Sequence, residues 1–125
     1  MSPAHEYDLS LEPREGYIYA LLRTAVLTPG VYRAALSDIR KLVLRERAGR
    51  LMFEYEAAHA LTDDETFELL NELTRTMPGM QIAVVSSDQK HWPSIEFAQS
   101  FGLDTGRQLR SFTKPAVAKK WLLEN

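Results

Sequence analysis

Alternating apolar and polar residues predict that the chain begins with two antiparallel strands. Tyr7, Leu9 and Leu11 alternate with polar residues, the period-2 pattern of a strand that is buried on one face. The segment Pro13–Gly16 has the composition of a turn, and the apolar run Tyr17–Val26 supplies an antiparallel partner. We therefore expect a β-hairpin.

Apolar residues that recur at three- and four-residue steps predict two amphipathic helices next. The first follows the capping residue Thr28 and the helix-starting residue Pro29, reaches about Arg47 and is expected to end at Gly49. The second spans about Thr62–Met77. Its buried stripe is predicted to contain Phe67, Leu70, Leu73 and Met77.

Three further strands and two further helices complete the predicted order. The strands are Arg50–Tyr55, the nearly continuous apolar run Gln81–Ser87 and the segment 108–113. A third helix begins at Pro93 and ends at Gly102, and a terminal helix follows Thr113. The buried face of the third helix is expected to contain Ile95, Ala98 and Phe101. That of the terminal helix is expected to contain Val117, Trp121 and Leu122.

The predicted order is β-β-α-β-α-β-α-β-α, so the fold class is α/β. Strands that alternate with helices pair in parallel through right-handed crossovers, and the opening hairpin adds one antiparallel strand. The 125 residues then form a single open α/β domain over residues 1–125, with a core over about 7–123.

Composition and charge narrow the function classes. The chain has no cysteine, which excludes disulfides, thiolate catalysis and cysteine-ligated zinc. The net charge is -2 and no basic run exceeds Lys119-Lys120, so we expect no nucleic-acid partner. We see no signal peptide, and apolar runs such as Tyr17–Leu22 are too short for a membrane span. The expectation is a soluble cytoplasmic protein.

Polar residues gather after two of the predicted strands, where open α/β sheets bind ligands. The first loop carries Glu54, Glu56, His59, Thr62, Asp63, Asp64 and Glu65. Thr62 and Glu65 have the spacing of a capping box, in which each side chain bonds a backbone N–H at the helix start. Asp63 and Asp64 fall in the first turn, where the helix dipole favours negative charge by about 0.3–1 kcal/mol each. Capping accounts for all four residues.

Two kinds of chemistry compete with capping at this loop. His59 with Asp63 or Glu65 offers ligands for a divalent metal ion. Paired carboxylates also offer acid–base groups, provided that their pKa values are raised. The spacing matches no known metal motif, so we predict no metal and no other cofactor.

The second loop also contains groups that act in catalysis or ligand binding. Its polar residues are Ser86, Ser87, Asp88, Lys90, His91 and Ser94. Serine, aspartate and histidine in one short stretch suggest a hydrolase, but the Gly-x-Ser-x-Gly elbow is absent. Glycine-rich phosphate-binding patterns are absent as well. A small anion bound by Ser86, Ser87 and Lys90 remains one hypothesis, and a solvated loop is the other.

Aromatic residues surround the third predicted helix. Phe101 belongs to the buried stripe with Ile95 and Ala98, whereas Phe97 lies off that stripe and Trp92 precedes the helix. Phe97 is therefore either exposed for a partner or ligand, or packed beneath the last strand.

With this order of elements, the chain resembles the STAS domain, the fold of bacterial anti-sigma-factor antagonists. The resemblance covers about Tyr7–Leu123 and rests on element order and length more than on identical residues. Within that superfamily the chain is similar to small stand-alone proteins that are grouped with lipid-carrier domains of the CRAL-TRIO type. The fold implied is a STAS-like open sandwich.

The motif of the antagonists falls on the first loop. It reads Asp-Leu-Ser, five residues ending in an apolar one, then Asp-Ser-Ser-Gly, whose second serine accepts phosphate from a partner kinase. Aligned without a gap, the two parts fall on residues 54–56 and 62–65, with Asp64 at the place of the phosphoacceptor. This chain departs from the motif at every position of the last group. Asp64 has a smaller, permanent charge and no hydroxyl, so we expect no phosphoserine switch.

The resemblance implies a non-enzymatic protein-interaction or regulatory domain, with the first loop as the partner surface and the second loop beside it. The partner is another protein or a second copy, since the hairpin leaves a sheet edge for a homodimer. The alternative is a carrier of a small apolar, lipid-like ligand. Its cavity of roughly a few hundred Å³ would be lined by Trp92, Phe97 and Phe101. A hydrolase or metal enzyme that uses His59 or His91 is the third hypothesis.

Overall fold

The computed structural model describes residues 7–105 and 109–124, with residues 102–105 described as backbone only. It contains five strands and four helices in the predicted order, which confirms the fold class. The strands are β1 (Tyr7–Arg14), β2 (Tyr17–Thr24), β3 (Arg50–Ala57), β4 (Gln81–Val85) and β5 (Leu109–Phe112). The helices are α1 (Pro29–Glu46), α2 (Asp63–Thr76), α3 (Trp92–Thr105) and α4 (Pro115–Glu124), and a short 3₁₀ turn at Gln89–His91 precedes α3.

The five strands form one sheet in the order β1-β2-β3-β4-β5. β1 and β2 are antiparallel, as predicted for the hairpin, with Leu11 opposite Ala20. The remaining three pairs are parallel. β3 lies in the middle of the sheet, so its carboxyl end at Ala57 lies beside the ends of two parallel neighbours.

Three helices cover one face of the sheet, and α4 covers part of the other. The larger core joins α1, α2 and α3 to alternate strand residues such as Ile18, Phe53 and Val84. The intervening residues, including Met52 and Ala83, pack against α4 instead. Right-handed crossovers between consecutive neighbouring strands place their helices on the same face, which accounts for the first three helices. Among the described residues, none of the helices has the length and apolarity that a membrane crossing requires.

α1 ends before the glycine that was expected to end it. Its cap is Arg47, which adopts the left-handed conformation at φ 53°, and Gly49 lies beyond it. The backbone N–H of Ala48 bonds the Val43 carbonyl at 3.0 Å, so a carbonyl of the last helical turn is satisfied. For an L-residue the left-handed conformation costs roughly 1–2 kcal/mol, and here the closing bonds offset part of that cost.

Three further predictions about the helices were wrong. Phe67 and Val117 are 48% and 51% exposed, although both were placed on buried stripes. The apolar faces instead contain Leu69 in α2 and Ala118 in α4. α3 also continues through Gly102 to Thr105. Glycine weakens a helix by only about 1 kcal/mol, so it did not end this one.

A partly buried hydrogen bond joins β2 to β3 on the sheet face that α4 leaves partly open. The Tyr19 hydroxyl donates to Oε1 of Glu54 at 2.6 Å, and Glu54 is only 7% exposed. Burial, followed by this hydrogen bond, raises the pKa of Tyr19, so its hydroxyl keeps its proton at neutral pH. The guanidinium of Arg14 lies 4.0 Å from the centroid of the Tyr19 ring and covers it. Tyr19 therefore provides a hydrogen-bond donor for the carboxyl group of Glu54.

Replacing Tyr19 with phenylalanine should lower the free energy of unfolding by about 1–3 kcal/mol, because the Glu54 carboxyl loses its donor while it stays buried. Urea denaturation of wild type and Tyr19→Phe measures the difference. Tyr32→Phe is the control, since it removes the hydroxyl of another tyrosine, one that lies in the larger core. An equal effect of the two substitutions would show that the Tyr19–Glu54 bond contributes nothing.

Candidate functional site

The structure brings the two predicted loops together at the carboxyl ends of β3 and β4. Nζ of Lys90, in the second loop, donates to the carbonyl of Ala58, in the first, at 3.3 Å. Deeper in the molecule, Nε2 of His91 lies 3.3 Å from the backbone nitrogen of Ala57 and 3.2 Å from its oxygen. The two loops therefore form one surface.

The start of α2 carries the predicted capping box. Oγ1 of Thr62 accepts from the Glu65 N–H at 3.1 Å, and the Glu65 carboxylate accepts from the Thr62 N–H at 2.9 Å. That backbone bond is the main cause that lowers the pKa of Glu65. Asp63 and Asp64 lie in the first turn, and both are exposed. Neither forms a hydrogen bond or ion pair within the part of the chain that the structure describes. Capping therefore uses two of the four residues and leaves two carboxylates free.

The other predicted members of the acidic surface are already engaged. Glu54 is buried beneath Tyr19, so it lies outside any exposed partner surface. Glu56 is partly exposed and lies 3.5 Å from Nε of Arg23. His59 is partly exposed, with Nε2 3.8 Å from Glu65. Exposed pairs of this kind stabilise a protein by about 0–1 kcal/mol.

The second loop divides into a buried and an exposed part. Ser86 is fully buried and donates to the Tyr55 carbonyl at 3.1 Å, whereas Ser87 is exposed. Asp88 accepts from the Lys90 N–H at 3.1 Å, and this bond is the main cause that lowers the pKa of Asp88. Lys90 is held by Asp88 and by the first loop, so the predicted anion site of Ser86, Ser87 and Lys90 does not converge on one point.

A buried polar cluster lies beneath these loops, and sequence reasoning did not find it. The hydroxyl of Tyr55 hydrogen-bonds with that of Ser94, which joins β3 to α3. The rings of Tyr55 and His91 are in contact, with centroids 5.2 Å apart. Burial raises the pKa of Tyr55 to about 12. The only signal in the sequence was the alternation of β3, which places Tyr55 on the same face as Phe53.

His91 has one nitrogen engaged and one without a partner. Its Nδ1 is buried and has no hydrogen-bond partner among the described residues. Burial is the main cause that lowers the pKa of His91, so the ring is neutral at physiological pH. The nearby charged groups act in both directions, because Asp88 raises the pKa whereas Lys90 and His59 lower it. His91 therefore joins β3 to α3 as a neutral ring.

No hydrogen bond joins a serine side chain to a histidine side chain among the described residues. Nε2 of His91 is occupied by the backbone of Ala57, and the Ser94 hydroxyl bonds Tyr55 rather than a histidine. In residues 7–105 and 109–124, no three histidine, aspartate or glutamate side chains come together as ligands for a metal ion. The geometry thus provides neither a serine–histidine pair nor a ligand set for the third hypothesis.

Two clefts open at the carboxyl edge of the sheet. The larger, of about 560 Å³, lies at the ends of β2 and β3. Four of the five charged side chains on its walls form ion pairs, Arg23 with Glu56 and Lys90 with Asp88, each pair 3.5 Å apart, and Asp8 is the fifth. The smaller, of about 320 Å³, lies between α3 and α4 beside the end of β5.

The three aromatic residues of the predicted ligand pocket line neither cleft. Phe101 is buried in the core and packs edge-on against Phe67, with ring centroids 5.7 Å apart. Phe97 is half-buried, and Trp92 is 42% exposed at the start of α3. The three aromatic residues therefore form no wall of either cleft.

Lowering the pH from about 7 to 5 should destabilise the protein through His91. Because its folded pKa lies below the unfolded value near 6.5, the unfolded chain binds more protons in this range. The contribution of His91 to stability is fully present above its unfolded pKa. It is lost as the pH falls through the pKa of His91 in the folded protein. Urea denaturation at several pH values measures the slope.

In His91→Phe, which keeps an aromatic ring against Tyr55, this slope should disappear. His59→Ala, at the partly exposed histidine, should retain it. A slope that is the same in His91→Phe as in wild type would assign the pH dependence to another group.

No protein-family model matches the sequence of this chain, and no curated protein matches it either. The resemblance to STAS domains therefore stays a prediction from the order and length of the elements.

Proposed function

We propose that this chain is a non-enzymatic interaction domain of the STAS type, which binds a protein partner through Asp63 and Asp64. The observation that carries the proposal is the closed capping box. Thr62 and Glu65 each accept a hydrogen bond from the backbone N–H of the other, so neither Asp63 nor Asp64 takes part in the box. The neighbouring aspartates are left exposed and unpaired within the described residues.

The charge of this surface indicates the chemistry of the partner. Asp63, Asp64 and Glu65 occupy the first turn of α2, and the first turn contains no basic residue to neutralise them. The helix dipole stabilises these charges without removing them from solvent. Lysine or arginine side chains of a partner would complement this surface and would accelerate association at low ionic strength.

Asp64 separates this chain from the antagonists that it resembles. Those proteins acquire charge at this place when a kinase phosphorylates serine, whereas the Asp64 carboxylate is permanently charged. The nearest hydroxyl in the loop, that of Thr62, accepts the Glu65 N–H and starts the helix. We infer binding that depends on ionic strength and needs no kinase.

Replacing both aspartates should remove partner binding. A chain carrying Asp63→Asn and Asp64→Asn is compared with wild type by affinity capture and quantitative mass spectrometry. The enrichment of at least one protein captured by wild type should fall about tenfold or more, which corresponds to about 1.4 kcal/mol of binding free energy. The same enrichment should fall when salt is added, because exposed charges are screened.

The matched control carries Asp38→Asn and Glu46→Gln, which remove the same charge from exposed positions of α1. Thermal unfolding of both double variants corrects for the helix-dipole contribution of the two aspartates, about 0.3–1 kcal/mol each. Identical capture profiles for wild type and the Asp63/Asp64 variant would refute the proposed surface.

Incubation with cell extract and ATP should leave residues 54–65 without phosphate. Peptide mass spectrometry of the recovered protein measures the modification, and a STAS antagonist with its serine serves as the positive control. Stoichiometric phosphate on Thr62 would overturn the assignment of a permanently charged, kinase-independent surface.

A further inference from the structure

The connections leaving the parallel strands diverge between β4 and β5. The segments after β2, β3 and β4 lead to α1, α2 and α3, which all pack on one face of the sheet. The segment after β5 leads to α4, which packs on the opposite face. Neighbouring parallel strands whose connections leave in opposite directions form a crevice at their carboxyl ends, and open α/β proteins bind ligands there.

The smaller cleft occupies this position. Residues of α3, of the end of β5 and of the start of α4 line it, and its volume is about 320 Å³. Ile95, Phe112 and Val117 give it apolar walls. Small-molecule sites commonly measure about 300–1,000 Å³, so this cleft suits a small ligand. The exposed Val117, which the helix pattern had placed in the core, becomes part of a concave wall.

Hydrogen bonds with Ser111 orient the side-chain amide of Gln99, which lines the smaller cleft. The Ser111 N–H donates to Oε1 of Gln99 at 3.2 Å, and the Ser111 hydroxyl lies 2.8 Å from the same oxygen. That hydroxyl also lies 2.6 Å from the carbonyl of Ile95. The backbone N–H fixes the amide so that its oxygen faces Ser111. The NH₂ group of Gln99 then remains a donor without a partner among the described residues.

The charges on the lining favour a ligand with a hydrogen-bond acceptor. Lys114 lines the cleft and forms no ion pair within the described part of the chain. Together with the Gln99 NH₂ group it presents donors and positive charge. Glu96 is the one carboxylate among the described lining residues.

The larger cleft has neither a divergence of the connecting segments nor free hydrogen-bond donors like those of the smaller cleft. The connections after β2 and β3 both lead to helices on the same face, so the sheet forms no divergence there. Four of the five charged groups that line it form ion pairs, and the fifth, Asp8, is a carboxylate that would repel an anion. The topology and the free donors therefore both favour the cleft between α3 and α4.

We propose that the α3–α4 cleft binds a small amphiphilic carboxylate, with its apolar body against Ile95, Phe112 and Val117 and its carboxylate bound by Gln99 and Lys114. This site is distinct from the acidic surface of α2. Its lining contains none of the residues predicted for a ligand pocket from the sequence.

Sodium octanoate, which joins an apolar chain to a carboxylate, is the probe. In ¹H–¹⁵N spectra of the whole protein, its titration should give saturable shifts in residues 95–99 and 111–117. Octylammonium, with the same chain and the opposite charge, should bind at least about fivefold more weakly. Absence of saturable shifts, shifts spread over unrelated apolar surface, or equal binding of both probes would overturn the proposal.

A matched pair of surface variants assigns the binding to the cleft. Val117→Glu places a negative charge in the apolar wall and should weaken octanoate binding about tenfold or more, or about 1.4 kcal/mol. Val26→Glu makes the same change at a position that is 55% exposed, outside the lining of either cleft, and should leave binding unchanged. Equal loss in both variants, or in neither, would contradict the assignment.

Head-group recognition has its own pair of variants. Lys114→Gln should weaken octanoate binding while Lys119→Gln, at an exposed position of the same helix, should not. The chain carrying Asp63→Asn and Asp64→Asn should bind octanoate as wild type does. That last result separates a failure of the cleft proposal from a failure of the proposed partner surface.

Discussion

The rest of the structure depends on the two-sided burial of β3. Phe53 and Tyr55 enter the core beneath α1, α2 and α3, while Met52 lies on the opposite face beneath α4. A slip of one residue would exchange the two sets and drive Glu54 into the larger apolar core. Such a burial would leave a charged group without its Tyr19 donor, so the pairing of β3 with β2 and β4 has one stable register.

This register places both proposed surfaces. β3 ends at Ala57, whose backbone holds His91, and its Tyr55 holds Ser94, so the start of α3 is fixed against the central strand. The chain then leaves β3 and begins α2 at the capping box, which exposes the two aspartates at the edge of the sheet. α3, fixed at its start, forms one wall of the smaller cleft.

Local signals in the sequence sufficed for the order of the elements and for the helix starts at Thr28 and Thr62. The capping box at Thr62 depends on residues three apart, and the hairpin depends on alternation over a few residues, so both were predicted. Phe67 and Val117 were misplaced because a three- or four-residue step fits two adjacent stripes of a helix, and only tertiary packing decides which stripe is covered.

The positions and contacts of the polar residues could be predicted from the sequence only in part. Glu54 was grouped with exposed carboxylates because it lies near them along the chain, yet it shares the face of Met52 by simple alternation, and that signal was present. The Tyr55–Ser94 and Ser111–Gln99 contacts join residues from separate elements, and no local pattern indicates them. The divergence between β4 and β5 likewise appears only when each helix has been assigned to a face of the sheet.

α3 contacts both regions, but its contacts favour independent surfaces over a switch. It packs against α2 through Phe101 and Phe67, and against β5 through the bonds of Ser111. Its start is fixed to β3 by Ser94, so it is held along its length. Coupling between sites requires an element with two arrangements, each favoured by a different ligand. A helix held at three places provides a rigid wall for the cleft, and a carboxylate bound there would brace α3 without altering the aspartates of α2.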